Sequence, residues 1–243
     1  MIRLPFLAAG HRDAFPLVDS ALDEPDGLLA AGGDLSPQRL LDAYGHGIFP
    51  WFSEGQPILW WSPSMRTVFD TAHVHMSRRL GRWLRGCDWS IHADTAFADV
   101  MRACAAPRRR EHGTWITDDM LAAYLQLHEL GHAHSIEVRD AEGRLAGGIY
   151  GVALGRMFYG ESMFSACTNG SKVALLALCR ALDAWRFPLL DAQVASDHLF
   201  TLGAREMPRA PFCARVATLV TQPGRIGSWT LDFPIAAAAD LAG

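Results

Sequence analysis

Residues 144–194 constrain the fold of this chain more than any other stretch. Residues 145–154 and 157–164 are rich in aromatic and apolar side chains and read as two strands, with Gly155 and Arg156 as the hairpin turn. A helix then starts at Ser171, and Leu175, Leu178, Cys179, Leu182 and Trp185 recur at helical spacing to give it one apolar face. Residues 189–194 follow as a core strand. The order is β-β-α-β, which packs as a helix laid on a sheet.

Three polar residues interrupt this apolar unit: Glu161, Asp191 and Gln193. Asp191 and Gln193 are two apart on one strand, so their side chains are expected to share a face. Glu161 lies in the strand before the helix, which can neighbour the Asp191 strand. A buried carboxylate is costly unless it is paired or used. Two readings follow, a hydrogen-bonded structural network and a functional site.

The chain has 243 residues, 50% hydrophobic and 20% charged, which excludes a disordered polymer and leaves room for one large or two small domains. With 22 basic and 26 acidic residues the net charge is -4, so nucleic-acid contact must come from a local basic patch. The N-terminus has no sustained apolar run of a signal peptide, and no run is long enough to span a bilayer. The five cysteines form no C-x-x-C pair, so neither a disulfide framework nor a zinc knuckle is expected, and a reducing cytoplasm fits. His73 with His75 and His132 with His134 are same-face pairs without a third ligand, so no metal is expected. Ser162 lacks the second glycine of a G-x-S-x-G elbow.

Residues 1–70 differ in texture from the rest, being rich in proline and turns, and are expected to form a small N-terminal domain before a larger one at 71–243. Ser36 and Pro37 begin its one clear helix. Trp51, Trp60 and Trp61 are core anchors or stacking surfaces. Residues 77–85 read as a helix with Arg78, Arg82 and Arg85 on one face and Arg79 beside them, either an ordinary solvated face or a single-signed stripe that a phosphate backbone would neutralise. A second basic cluster is Arg108, Arg109 and Arg110. Asp94 or Thr95 is expected to cap a further helix, with another at 117–130. Asn169, Gly170 and Ser171 open the long helix as an ordinary serine cap or as an anion seat. Residues from 221 onward carry no assignable role.

A β-β-α-β order with a helix N-terminus aimed at a site is that of an N-acetyltransferase-like fold, yet the Q/R-x-x-G-x-G/A loop of coenzyme A users is absent. The chain resembles the leucyl/phenylalanyl-tRNA–protein transferase family in EPDGLLAAGGDLSPQRLLDAYGHGIFPW (24–51), WWSPSMR (60–66), GTWIT (113–117), AYLQLHELGHAHSIE (123–137), GGIYGVALGRMFYGESMFS (147–165), NGSKVALLAL (169–178), LLDAQV (189–194) and HLFTLGA (198–204). Two departures are Gly170 and Ala192, where the family pattern has Ala and Cys. The resemblance implies an α+β fold with a small N-terminal domain and an acetyltransferase-like catalytic domain, using neither metal nor organic cofactor. It implies transfer of Leu, Phe or Met from aminoacyl-tRNA to the N-terminal Arg or Lys of a protein, marking that protein for degradation.

By that resemblance Gln193 accepts a hydrogen bond from the attacking amine, Asp191 polarises it and Glu161 helps to hold it. Glu161 and Asp191 also offer acidic company to the acceptor's basic side chain. Ile149, Phe158, Met163, Leu178 and Leu190 would line an apolar pocket for the donor side chain. Trp51 and Trp115 would stack on the terminal adenosine, and Arg78, Arg79, Arg82 and Arg85 would meet tRNA phosphates. Two other readings stand beside it: a coenzyme A-dependent N-acetyltransferase, and a non-enzymatic adaptor for basic N-termini.

Overall fold

A computed structural model of the chain describes residues 4–10, 13–106 and 115–242. Gly113, Thr114 and the Arg108, Arg109 and Arg110 cluster lie outside the described residues. The N-terminal elements are β1 (Phe6–Leu7), β2 (Leu28–Gly32), α1 (Pro37–Gly45), β3 (Phe49–Pro50) and β4 (Leu59–Trp61). The four strands form one sheet in the order β1-β2-β4-β3, with β1 parallel to β2 and the other pairs antiparallel. Ser36 caps α1, accepting from the Arg39 backbone N–H, and Pro37 occupies the first helical position, where no N–H is needed.

The chain then runs through β5 (Met65–Asp70), α2 (Arg78–Leu84), β6 (Ser90–Ala93), α3 (Phe97–Ala105), α4 (Asp118–Glu129), β7 (Ala133–Arg139), β8 (Leu145–Leu154) and β9 (Met157–Ser165). It closes with α5 (Gly170–Ala184), β10 (Leu189–Asp191), α6 (Asp197–Thr201), β11 (Arg205–Pro208) and α7 (Arg209–Leu219). The second sheet has seven strands in the order β11-β5-β10-β9-β8-β7-β6, with β9 parallel to β10 and its other pairs antiparallel. The fold is thus mixed α/β, with two mixed sheets among the described residues.

Alternation along β8 and β9 sends side chains to two faces. Ile149 and Phe158 pack with α5, α2 and Trp229 on one face; Tyr150, Val152 and Tyr159 pack with α1, α3, α4 and α7 on the other. The second core also takes in Leu29, Leu40 and Trp60, so the four-stranded sheet shares it. The hairpin and α5 stand where periodicity placed them, whereas β10 ends at Asp191, short of the expected end at 194. β5, β11 and α7 have no counterpart in the sequence reading. α3 is capped by neither Asp94 nor Thr95: its N-cap is Ala96, and Thr95 instead donates from backbone and side chain to Glu137.

Nor does Ser171 cap α5. Asn169 occupies the cap position at φ 77, and the Gly170 and Ser171 N–H groups are used by the Cys167 carbonyl and the Ser165 hydroxyl. Those donors are therefore not free to seat an anion. The helix start lies so close to β8 that a Cβ on Gly170 would stand 2.1 Å from the Ala146 carbonyl oxygen. Glycine at this position fits the close approach. The C-terminal residues, silent in sequence, carry Trp229, which stacks on His134 at 3.7 Å between ring centroids and seals the α5 side of the core.

Candidate active site

The antiparallel register of β8 and β9 slips once. Tyr150 pairs with Ser162 and Gly151 with Gly160, leaving Glu161 as the extra residue of a β-bulge. A bulge re-aims one side chain without ending the strand. It turns Glu161 toward α1 and α4, where Tyr44 donates to Oε1 at 2.7 Å and Tyr124 to Oε2 at 3.0 Å. The two tyrosine hydroxyls also contact each other. Neither tyrosine stands out in the sequence, because each lies on an apolar helix face.

β10 pairs with β9 with Asp191 opposite Tyr159, so the residues just after the strand reach Glu161. Asp191 and Gln193 do not share a strand face: β10 ends at Asp191, and Gln193 lies beyond it at φ 56. Left-handed backbone at a non-glycine residue is strained and is kept only where the surroundings impose it. Here the Gln193 N–H donates to Asp191 Oδ1 at 3.0 Å. In one amide orientation Gln193 Nε2 donates to Glu161 Oε1 at 3.4 Å. Turned over, Nε2 donates to the Ala192 and Gly160 carbonyls at 3.1 and 3.0 Å. The second orientation satisfies the amide better and sets its oxygen beside Glu161 as an acceptor.

Asp191 is fully buried and lines neither of the two cavities that meet at Glu161, so it offers no charge directly to an acceptor there. Its partner is Arg66 on β5, which binds both carboxylate oxygens and also donates to the Gly47 carbonyl. The guanidinium lies between the rings of Phe49 and Phe212, 4.9 and 4.4 Å from their centroids. Burial pushes the Asp191 carboxyl up, and Arg66 opposes that shift. Arg66 was missed, though a cation alternating with apolar residues in β5 asks for a buried carboxylate. Burial likewise raises the Glu161 carboxyl to about 7, against the two tyrosine hydrogen bonds.

Two cavities meet at this point. One, of about 1010 Å³, is lined by Trp51, Trp115, Glu161 and Gln193, with Glu54, Asp118 and Asp119 on its walls. The other, of about 890 Å³, has an apolar floor of Ile149, Met163 and Leu190, with Phe69 and Leu175 added. Glu161, Ser162 and Ala192 belong to both. Each has the volume of a small-molecule site. Phe158 and Leu178, expected in the lining, sit behind it in the core, each 1% exposed. Trp51 is 44% exposed and packs 5.6 Å from Trp61. Arg78, Arg79 and Arg82 on α2 and Arg85 at its C-cap are all exposed, and none forms an ion pair among the described residues. They lie in an element separate from both cavities.

Two substrate-sized cavities joined at a carboxylate, with an amide beside it in the larger one, are the layout of a group-transfer enzyme. The leucyl/phenylalanyl-tRNA protein transferase model matches residues 68–217, and the model of the N-terminal domain of that family matches residues 33–64. A leucyl/phenylalanyl-tRNA–protein transferase of Xanthomonas campestris pv. campestris (strain B100) is 59% identical over 94% of this chain and 92% of its own length. One of the same description from Thiobacillus denitrificans is 54% identical over 94% and 98%. The chain belongs to the leucyl/phenylalanyl-tRNA protein transferase family and is an aminoacyltransferase. A solved structure described as L-PGS from Bacillus licheniformis is similar at 9% identity and TM-score 0.40, over 69% of this chain and 53% of that one, too slight a likeness to define the fold.

Proposed function

We propose that this aminoacyltransferase moves Leu, Phe or Met from aminoacyl-tRNA to the N-terminal Arg or Lys of an acceptor protein in the cytoplasm, forming a peptide bond that marks the acceptor for degradation. The observation that carries this is the meeting of an apolar cavity and a tryptophan-walled cleft at Glu161, with Gln193 in the cleft beside it. The donor is an ester, already activated, so the protein has to position it, accept a proton and stabilise the oxyanion. The side chain of the donor enters the apolar cavity at Ile149, Met163 and Leu190, while Trp51 and Trp115 hold the terminal adenosine. An apolar pocket distinguishes one methylene by only ~1–3 kcal/mol, which accounts for acceptance of Leu, Phe and Met together.

Gln193 receives the amine through its amide oxygen. Asp191 acts on it from behind, through the backbone N–H of Gln193, and is itself fixed by Arg66. The α2 arginines take the tRNA phosphates. The β8-β9-α5-β10 order supports reading residues 71–243 as an N-acetyltransferase-like catalytic unit, with residues 1–70 as the small unit that brings Trp51. β5, at the junction, joins the larger sheet.

The test is transfer of labelled Leu from Leu-tRNA to a peptide starting with Arg, beside one starting with Ala and beside labelled acetyl-CoA. Transfer to the Arg peptide alone is expected. Acetylation in its place, or binding of the Arg peptide without any transfer, would overturn the reading.

A further inference from the structure

Glu161, Tyr44 and Tyr124 make three mutual contacts: Tyr44 with Oε1, Tyr124 with Oε2, and hydroxyl with hydroxyl. Each contact needs one hydrogen. With Glu161 ionised the group holds only the two phenolic protons, and one contact brings lone pairs together. One further proton closes the ring: the acid donates to one phenol, that phenol to the other, and the second phenol back to the carboxyl. Both tyrosines are fully buried, so no solvent hydrogen bond replaces the missing one. Glu161 itself is half-buried and lines both cavities, with Gln193 beside it in the larger one.

We propose that this ring is the proton acceptor of the reaction: Glu161 takes the surplus proton of the acceptor's α-ammonium, with Tyr44 and Tyr124 as positioning residues. It deepens the transferase reading above and rests on it. The ammonium loses one proton to the Glu161 carboxylate, closing the ring. The freed lone pair forms the C–N bond to the ester carbonyl and the C–O bond to the ribose breaks. The second amine proton goes to the ribose oxygen, and the ring returns its proton to water. Gln193 is an amide and a poor base, and Asp191 is sealed off by Arg66. Glu161 is therefore the carboxylate at the seam free to act.

The charged and titratable groups around it come from every packed element. Asp191 on β10 raises its affinity for a proton and Arg66 on β5 lowers it. Tyr150 on β8 is buried, its hydroxyl without a partner among the described residues. Asp118 and Asp119 of α4 and Glu54 line the larger cavity. The balance leaves the carboxyl at about 7, so the ring is half open at neutral pH.

An α-amine with pKa near ~8 is only about one-tenth neutral at about pH 7. The ring's contribution is therefore up to about tenfold there and vanishes where the amine is already neutral. The experiment is the initial rate of Leu transfer to the Arg-started peptide at saturating Leu-tRNA, from about pH 6 to about pH 9. An enzyme-free control corrects for ester hydrolysis. The wild type is expected to show a limb near about 7. Glu161→Gln is expected to lose about tenfold at about pH 7 and to approach the wild type at about pH 9. Tyr44→Phe and Tyr124→Phe each remove a donor to the carboxylate and should move the limb to higher pH, with tRNA binding unchanged. A Glu161→Gln deficit of the same size at every pH, or a limb unmoved in both tyrosine variants, overturns the ring. A wild type that transfers nothing overturns the transferase reading itself, and the two failures are distinct.

Discussion

Glu161 is where stability and chemistry oppose each other. Its carboxyl titrates at about 7 in the folded protein against an ordinary 4.5. Between those values the native protein holds a proton that the unfolded chain has lost. That extra stability is fully present below the lower value and is lost as pH rises through about 7. Glutamine makes no such demand. Glu161→Gln is expected to raise Tm relative to wild type by a margin that widens from about pH 5 to about pH 8. Thermal unfolding at a series of pH values reads this, and a constant margin would contradict it. Arg66 and Asp191 show the other side of burial. Arg66→Ala strands a carboxylate with no solvent, at a cost of about 3–5 kcal/mol. Replacing both members with apolar residues, Arg66→Met with Asp191→Leu, should recover most of that in a denaturant titration while transfer remains abolished. No recovery would mean that Arg66 stabilises chiefly through its contacts with Phe49, Phe212 and the Gly47 carbonyl.

At the level of elements, the site depends on one register slip between β8 and β9. Gly151 sits at the slip, and a Cβ there would meet the Tyr159 carbonyl oxygen at 2.1 Å. The clash is with backbone, which cannot swing aside as a side chain would. Gly151→Ala is expected to cost ~1–3 kcal/mol of stability and to reduce turnover more than tRNA affinity, since it moves Glu161 but not α2. Equal losses in kcat and tRNA binding would count against the bulge as the positioning device. The hairpin, α5 and β10 were legible because their apolar residues repeat over ten or more positions or end at clear turns. α7 was not, although Phe212, Val216 and Leu219 give it a stripe. Pro211 reads as a breaker, yet in the first turn of a helix its missing N–H costs nothing. β5 carries Arg66 and Thr67 among its apolar residues and becomes an interior strand through β10 on one side and β11 on the other, while β11 is short, ends in a proline and is a strand because it finds the edge of β5.

Across the whole molecule, the net charge of -4 leaves the exposed α2 arginines as a local basic patch. If they neutralise phosphates, the tRNA affinity must fall steeply with salt. The variant Arg78→Ala/Arg82→Ala/Arg85→Ala should weaken tRNA binding and reduce the slope of log affinity against log salt by ~2–3, about 0.7–0.9 for each phosphate no longer neutralised. Filter binding over a salt series measures it; an unchanged slope would assign tRNA recognition to another surface. Glu161 and Gln193 were legible as polar residues in an apolar unit, and Ile149, Met163 and Leu190 as its apolar lining. Local periodicity could not separate lining from core, so Phe158 and Leu178 were placed one layer too far forward.

The sequence by itself determined the β-β-α-β unit and the polar residues around which a site could form, because hydrophobic period and turn chemistry act over a few residues. Only the tertiary structure decided which polar group meets which. It brought Arg66 to Asp191 across 125 positions and Tyr44 to Glu161 across 117. A buried charge or hydroxyl is settled by whichever partner the packing delivers, and nothing local to either residue says which partner that is.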